Sequence, residues 1–420
     1  MTVGRASGTR SGTVSGTGTR SGSGTASDTG TASGTGSDMR RRAGELSRDG
    51  QGVTGPLNGY HHETYAFPLP ATHELSARFE RAKLRAPRPG LLWFDRRCFA
   101  SEDLLLTALQ GRVDRIPEIV RVDGGVYLQG FIEGRTLDAR QVPGLQGAGR
   151  GLSRRHADQL GRFFGQLVSI DPKELAEREV TRICAPDDWT AEGDSAAFLD
   201  RLIRFTEEQV HRDHGEPYRT LFAELGVGAD ALVRLRKRTV ELRTRPFALL
   251  HCDLHRKNLI VDRDGDLWVI DWELAMIGDP LYDLATHLHL MGYPKQEEAR
   301  VKELWVTAVE EARPGSSYGW EEDLPLLLAY KRVQSVFTDI IRTALLLGPD
   351  AESNWRVLPR AAWRIQRVLA AAEREVYGAD AAAPSMRQVV TAYRNWFRTT
   401  RAADEGGGEA EETALTRSGT

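Results

Sequence analysis

The chain has 420 residues, of which 40% are hydrophobic and 27% charged, and a formal net charge of −3. That length holds two or three ordinary domains, and so mild a charge gives no electrostatic reason for a nucleic-acid partner. Cys98, Cys184 and Cys252 are odd in number and far apart, which argues against a disulfide framework or a zinc ribbon and predicts a reducing, cytoplasmic setting. The N-terminus lacks the apolar core of a signal peptide and no apolar run is long enough to span a bilayer, so a soluble chain without a membrane partner is expected.

Residues 1–55 are almost all Gly, Ser, Thr and scattered Arg. Such a stretch buries too little apolar surface to offset its ordering entropy, and disorder is expected throughout. From Leu57 to about Glu133, short strand-like segments alternate with Gly and Pro punctuation: Tyr65–Leu69, Phe79–Leu84 and Val126–Ile132. One helical candidate, Ser101–Leu109, interrupts them, with Ser101 placed as N-cap and Glu102 and Asp103 in the first turn. After Gly134 helical spacing dominates, as in Leu160, Phe163, Phe164, Leu167 and Val168. The predicted class is α+β. A small β-rich lobe covers residues 56–134, a larger helical lobe covers 135–400, and an acidic disordered tail, 401–420, follows.

The densest chemical signal is His251-Cys-Asp253-Leu-His255-Arg-Lys-Asn258, followed by Asp264-Gly265 and Ile270-Asp271-Trp272-Glu273. Leu259–Val261 and Leu267–Ile270 are strand-like, and Asp-Gly between them signals a two-residue hairpin turn. That turn would set Val261 opposite Trp268, Leu259 opposite Ile270 and Asn258 opposite Asp271. An amide and a carboxylate meeting at the open end of a hairpin make a hard-cation site, with few oxygen ligands from protein and the rest left to water and phosphate. Asp253 lies close enough in sequence to accept a proton from an acceptor hydroxyl beside that site.

His251 to Asn258 and the Ile270–Glu273 segment resemble the catalytic loop and metal segment of the aminoglycoside phosphotransferase/choline kinase family, relatives of protein kinases. Gly278-Asp279-Pro280-Leu-Tyr-Asp283-Leu-Ala is similar to that family's following segment. The resemblance, from about Leu57 to Trp396, implies a two-lobe kinase-like fold, ATP and Mg²⁺ as cofactors, Asp253 as catalytic base, Asn258 and Asp271 as metal ligands, and His251 as a structural support of the loop. It implies a phosphate-covering turn at Leu57–Tyr65, with Gly59, and adenine recognition by backbone groups near Gly130 and Ile132. Lys83 is the candidate phosphate-binding lysine, with Arg81 and Arg85 as same-face competitors, and Glu102 is its expected ion-pair partner. The phosphate loop departs from the family pattern, being poor in glycine and rich in histidine. His255 stands where protein kinases carry a phosphate-contacting lysine.

The expected reaction is ATP-dependent transfer of a phosphoryl group to a hydroxyl of a small molecule, such as an aminoglycoside or other antibiotic. A Ser or Thr of a peptide, choline-like alcohols and sugars stay open as acceptors. The acidic stretch Pro186–Asp194, with Glu207 and Glu208 downstream, would suit a cationic acceptor or simply be a solvated loop. Two other classes compete. A metallohydrolase would gather His251, Asp253, His255, His287 and His289, and a catalytically dead kinase-like binding module would explain the glycine-poor loop.

Overall fold

A computed structural model describes residues 36–400, except 58, 60, 89, 123–124, 138–151, 179, 184–189, 349–350 and 380. Cys184 and the first 35 residues therefore lie outside the described residues. The first described element is helix α1 (Gly36–Leu46), inside the 1–55 span for which disorder was expected. Its Met39, Ala43 and Leu46 recur at helical spacing and pack into the small-lobe core beside Tyr65, Phe67 and Phe79. A stripe of three apolar residues is enough for a helix that has a sheet to rest on.

The small lobe is an antiparallel five-stranded sheet in the order β1-β2-β3-β5-β4. Its strands are β1 (Thr54–Leu57), β2 (His62–Pro68), β3 (Arg81–Pro87), β4 (Ile119–Val122) and β5 (Val126–Gly130), and helix α2 (Glu102–Leu109) lies between β3 and β4 in the chain. Strand β3 alternates strictly: Ala82, Leu84 and Ala86 are buried, whereas Arg81, Lys83 and Arg85 share the other face. Ser101 caps α2 by accepting the Leu104 N–H at 3.2 Å. A side chain at Gly130 would collide with the Phe79 ring, 2.7 Å from an added Cβ, which explains the glycine where β5 ends.

The short strand β6 (Arg135–Thr136) leads into the larger lobe, where α3 (Arg154–Val168), α4 (Pro172–Glu177), α5 (Ser195–Phe205), α6 (Arg219–Glu224) and α7 (Asp230–Arg238) follow. Four short strands come next: β7 (Ala248–Leu250), β8 (Leu259–Val261), β9 (Leu267–Val269) and β10 (Met276–Gly278). Helices α8 (Pro280–Met291), α9 (Lys295–Ala312), α10 (Trp320–Leu347), α11 (Ala351–Ala371) and α12 (Glu373–Tyr377) complete the lobe. Phe163, Phe164, Trp272, Leu284, Trp305 and Phe337 belong to its single large apolar cluster. Behind the β7 strand, buried Arg245 forks onto Asp279 at 2.7 and 2.8 Å and reaches Asp323 at 2.8 Å, so three charges satisfy one another in the interior. No helix among the described residues is long and apolar enough to cross a membrane.

The β8–β9 hairpin forms, but its register differs from the expectation. Leu259 faces Val269, Ile260 faces Trp268 and Val261 faces Leu267. Asp262 is the cause. Its carboxylate accepts the N–H groups of Asp264 and Asp266 at 2.9 and 2.8 Å, and its own N–H donates to the Asp266 carbonyl. The loop is thus three residues long, with Gly265 left-handed at φ 77°, a known alternative to the two-residue turn. The slip places Asn258 opposite Ile270, whose N–H donates to the Asn258 carbonyl at 3.0 Å, and moves Asp271 one residue past the pair.

Candidate active site

Strand β7 ends just before His251, and the loop of residues 251–258 is held by α8. Asp283, in the first turn of that helix, accepts the N–H groups of His251 and Cys252 at 3.0 and 2.7 Å. Cys252 has φ 64°, a strained conformation for a side chain with a Cβ, and the two hydrogen bonds stabilise it there. Burial raises the Asp283 carboxyl to about 6 even though these N–H groups favour its charged form. His251 donates from Nε2 to the Ile270 carbonyl at 3.2 Å and accepts the Asp253 N–H at Nδ1, tying the loop to the far end of the hairpin. Burial holds its ring neutral, with its pKa down at about 4.

Asp253 and Asn258 meet. The Asn258 amide nitrogen donates to the Asp253 carboxylate at 2.9 Å and to its carbonyl at 3.0 Å, which leaves the amide oxygen as the group able to face a cation. His255 Nε2 lies 3.4 Å from the same carboxylate. Asp271 adopts φ 69° beyond the hairpin. Burial, followed by the charges of Glu102, Glu273 and Asp253, pushes its carboxyl well above the usual range. The Asn258 amide oxygen and the Asp271 carboxylate are hard oxygen donors of the kind a divalent cation takes.

From the small lobe, Lys83 enters the same electrostatic neighbourhood. Burial and then Arg85 lower its pKa, while Glu102, Asp271 and Asp103 favour its charged form. The expected Lys83–Glu102 ion pair is not the one that forms: Arg85 donates to Glu102 at 2.6 Å and approaches Asp103 at 3.4 Å. Both cations lie on one face of β3, and Arg85 is the one in register with the start of α2. Arg81 is committed to Glu133 at 2.6 and 3.0 Å and lies over the Phe131 ring. Lys83 is left as the cation of this face without a carboxylate at ion-pair distance among the described residues. Gly130 donates its N–H to the Glu118 carbonyl at 2.9 Å, so that N–H is not available to a base, and Ile132 is buried beside the small-lobe core. Gly59 is described but both its neighbours are not, and the structure gives it no contact with the residues above.

Three further groups carry no role in the sequence reading. Glu273, two residues past Asp271, lies against His61 and His62 at the start of β2. Burial opposes its ionisation, but the His61 and His62 rings beside it bring its pKa down to about 2. Lys331 of α10 is buried, donating to Gln334 at 2.6 Å and to the Tyr282 hydroxyl at 3.3 Å. Asp95 reaches into the large lobe to accept from Gln334 at 2.8 Å. Of the acidic stretch considered for a cationic acceptor, residues 186–189 lie outside the described residues. Glu192 accepts the Phe247 N–H, Asp194 caps α5 and Glu207 pairs with Arg236, so these carboxylates serve the fold.

The histidines of the metallohydrolase reading do not converge. His287 bonds the Leu254 carbonyl and the Tyr293 hydroxyl, both at 2.9 Å, and His289 bonds Ser335 at 2.8 Å. Among the described residues no group of three or more His, Cys, Asp or Glu side chains could hold a metal.

The sequence profile of a phosphotransferase enzyme family matches residues 54–316, well over half of the chain. The chain belongs to this phosphotransferase family. No curated protein sequence matches it. Among solved structures, the phosphotransferase is similar to the macrolide 2′-phosphotransferase of Brachybacterium faecium at 18% identity and a TM-score of 0.46, covering 82% of this chain and 98% of that one. It is also similar to the choline kinase of Streptococcus pneumoniae, at 18% identity and 0.44, covering 76% and 94%. A choline/ethanolamine kinase family protein of Mesorhizobium loti matches at 18% and 0.43, covering 86% and 99%. None of the three lends its substrate to this phosphotransferase at such similarity.

Proposed function

We propose that the chain is an ATP- and Mg²⁺-dependent O-phosphotransferase acting on a hydroxyl of a small molecule in the cytoplasm. The observation that carries this reading is the Asn258 amide donating to the Asp253 carboxylate at 2.9 Å, on the loop that leads into the hairpin ending before Asp271. Asn258 and Asp271 would hold the cation, which supplies neutralisation of phosphate charge. Lys83 provides the small-lobe contact to the nucleotide phosphates, and backbone groups beyond Gly130 face the adenine.

Asp253 takes the proton of the acceptor hydroxyl. The acceptor oxygen forms its bond to the γ-phosphorus as the bond between that phosphorus and the leaving oxygen of ADP breaks. Asn258 keeps the Asp253 carboxylate oriented, and Asp283 keeps the loop that carries it in its left-handed bend.

An ATP-consumption screen across aminoglycosides, other hydroxylated antibiotics, choline-like alcohols, sugars and Ser/Thr peptides tests the reading. Turnover with a small-molecule alcohol supports it. Turnover with peptides alone would replace the acceptor class, and nucleotide binding without turnover on any acceptor would favour a binding module.

A further inference from the structure

Helix α2 lies in the small-lobe stretch of the chain, but its apolar body is buried elsewhere. Leu105, Leu106 and Leu109 belong to the large-lobe cluster, as do Phe94 before the helix and Val113 and Ile116 after it. Among the described residues, the sheet's own cluster contains none of these. Hydrogen bonds make the same division. Asp95 accepts from Gln334 of α10 at 2.8 Å, the Ala100 N–H donates to the Thr181 carbonyl at 3.0 Å, and the Arg115 carbonyl accepts the Val269 N–H of β9 at 2.9 Å. Toward the sheet, the first turn of α2 presents polar groups. Arg85 of β3 donates to Glu102 at 2.6 Å and approaches Asp103 at 3.4 Å, and Gln129 of β5 donates to Asp103 at 2.5 Å. The side chains of Arg85 and Glu102 are only 11% and 4% exposed, so their pair is shielded from water.

From this division we propose that α2 belongs mechanically to the large lobe, and that Arg85 is a positioning residue that docks strand β3 onto it and so sets where Lys83 stands relative to the loop of residues 251–258. The inference rests on the nucleotide site proposed above. Burial of an apolar body fixes a helix more firmly than a few polar contacts fix a sheet, so the boundary between the two bodies runs between β3 and α2. An extended strand rises about 3.3 Å per residue and scarcely stretches, so a hold on Arg85 is a hold on Lys83, two residues away on the same face. Gln129 lies directly opposite Lys83 in the β3–β5 ladder, and its bond to Asp103 secures the neighbouring strand at the same level. A desolvated ion pair offsets the cost of its burial only in good geometry, so this docking tolerates little displacement. Glu102 thus acts on Lys83 through Arg85, without an ion pair to the lysine itself.

The test compares the full-length chain with Lys83→Ala, Arg85→Gln, Arg85→Lys and the double variant Lys83→Ala/Arg85→Gln. Affinity for the fluorescent nucleotide mant-ADP is read by titration, and amide hydrogen exchange is followed in the nucleotide-free protein. Arg85→Gln should weaken mant-ADP binding about tenfold, and Arg85→Lys, which keeps a cation against Glu102, should weaken it less. With Lys83 already replaced, Arg85→Gln should weaken binding no further. Exchange of the β3 amides should rise in Arg85→Gln, while that of Leu105–Leu109 stays at the wild-type level. A merely structural ion pair would lower the melting temperature and leave mant-ADP affinity in place. Unchanged affinity in Arg85→Gln, additive effects in the double variant, or exchange rising equally in Leu105–Leu109 would overturn the proposal. If Arg85→Gln does not fold, Arg85→Lys and its double with Lys83→Ala carry the same comparison. If the wild-type chain binds no mant-ADP, the nucleotide reading fails, and the exchange measurement still decides to which lobe α2 belongs.

Discussion

Two cations two residues apart on β3 have different fates, and the difference is measurable. Arg85 is paired with a Glu102 that is itself buried, and removing one partner of such a pair leaves an uncompensated charge. Arg85→Ala should therefore destabilise the chain by about 3 kcal/mol, read as a lower denaturant midpoint. Lys83→Ala should leave that midpoint within about 1 kcal/mol, since no ion pair is lost, and should instead raise the KM for ATP and lower kcat. Equal loss of stability in the two variants would contradict the assignment. The buried histidines make a pH prediction. His251, His287 and His289 have their pKa values lowered to about 4 by burial, below the unfolded value near 6.5. A folded pKa depressed in this way gives stability that is present above the unfolded value and lost as the pH falls through that window. The melting temperature should decline between pH 6.5 and 4, and His287→Gln should flatten part of the decline.

At the scale of elements, the hairpin and α8 hold the loop of residues 251–258 from two sides. Gly265 is left-handed, and an added Cβ would stand 3.2 Å from the Arg155 guanidinium. Gly265→Val should cost about 1–2 kcal/mol in the turn and lower turnover through the register of β8 and β9, with thermal melts and kcat as the measurements. Asp283→Asn removes one of two acceptors that support the strained Cys252, so kcat should fall well before the fold is lost. Unchanged kcat in a folded Asp283→Asn chain would show that the bend needs no such support. The hairpin itself was legible from two strand-like runs around Asp-Gly, because strand spacing and turn chemistry are local. Its register was not, because the decisive group is the Asp262 side chain, whose Asx-type bonds lengthen the loop by one residue. The composition of the Gly- and Ser-rich start likewise masked Met39, Ala43 and Leu46, which become a helix only with a sheet beneath them.

Across the whole molecule, the family was legible in the sequence because its motif is compressed into the span from His251 to Glu273. What joins the two lobes could not. The His61–Glu273 bond joins residues 212 positions apart, and the Asp95–Gln334 bond joins residues 239 apart. Neither follows from periodicity or turn signals. The choice between Lys83 and Arg85 for Glu102 also depends on how α2 is set against β3, which their common face does not decide. The central claim is that this assembled site transfers a phosphoryl group from ATP to a small-molecule hydroxyl with Asp253 as base. Its most direct test sets the wild-type chain beside Asp253→Ala, with ATP, Mg²⁺ and the acceptor found by screening, and follows phosphorylated product by mass spectrometry and nucleotide affinity by titration. The prediction is product from the wild type and a rate lower by about 10²–10⁴-fold in the variant, with nucleotide affinity preserved. Product formed by Asp253→Ala at the wild-type rate would contradict it.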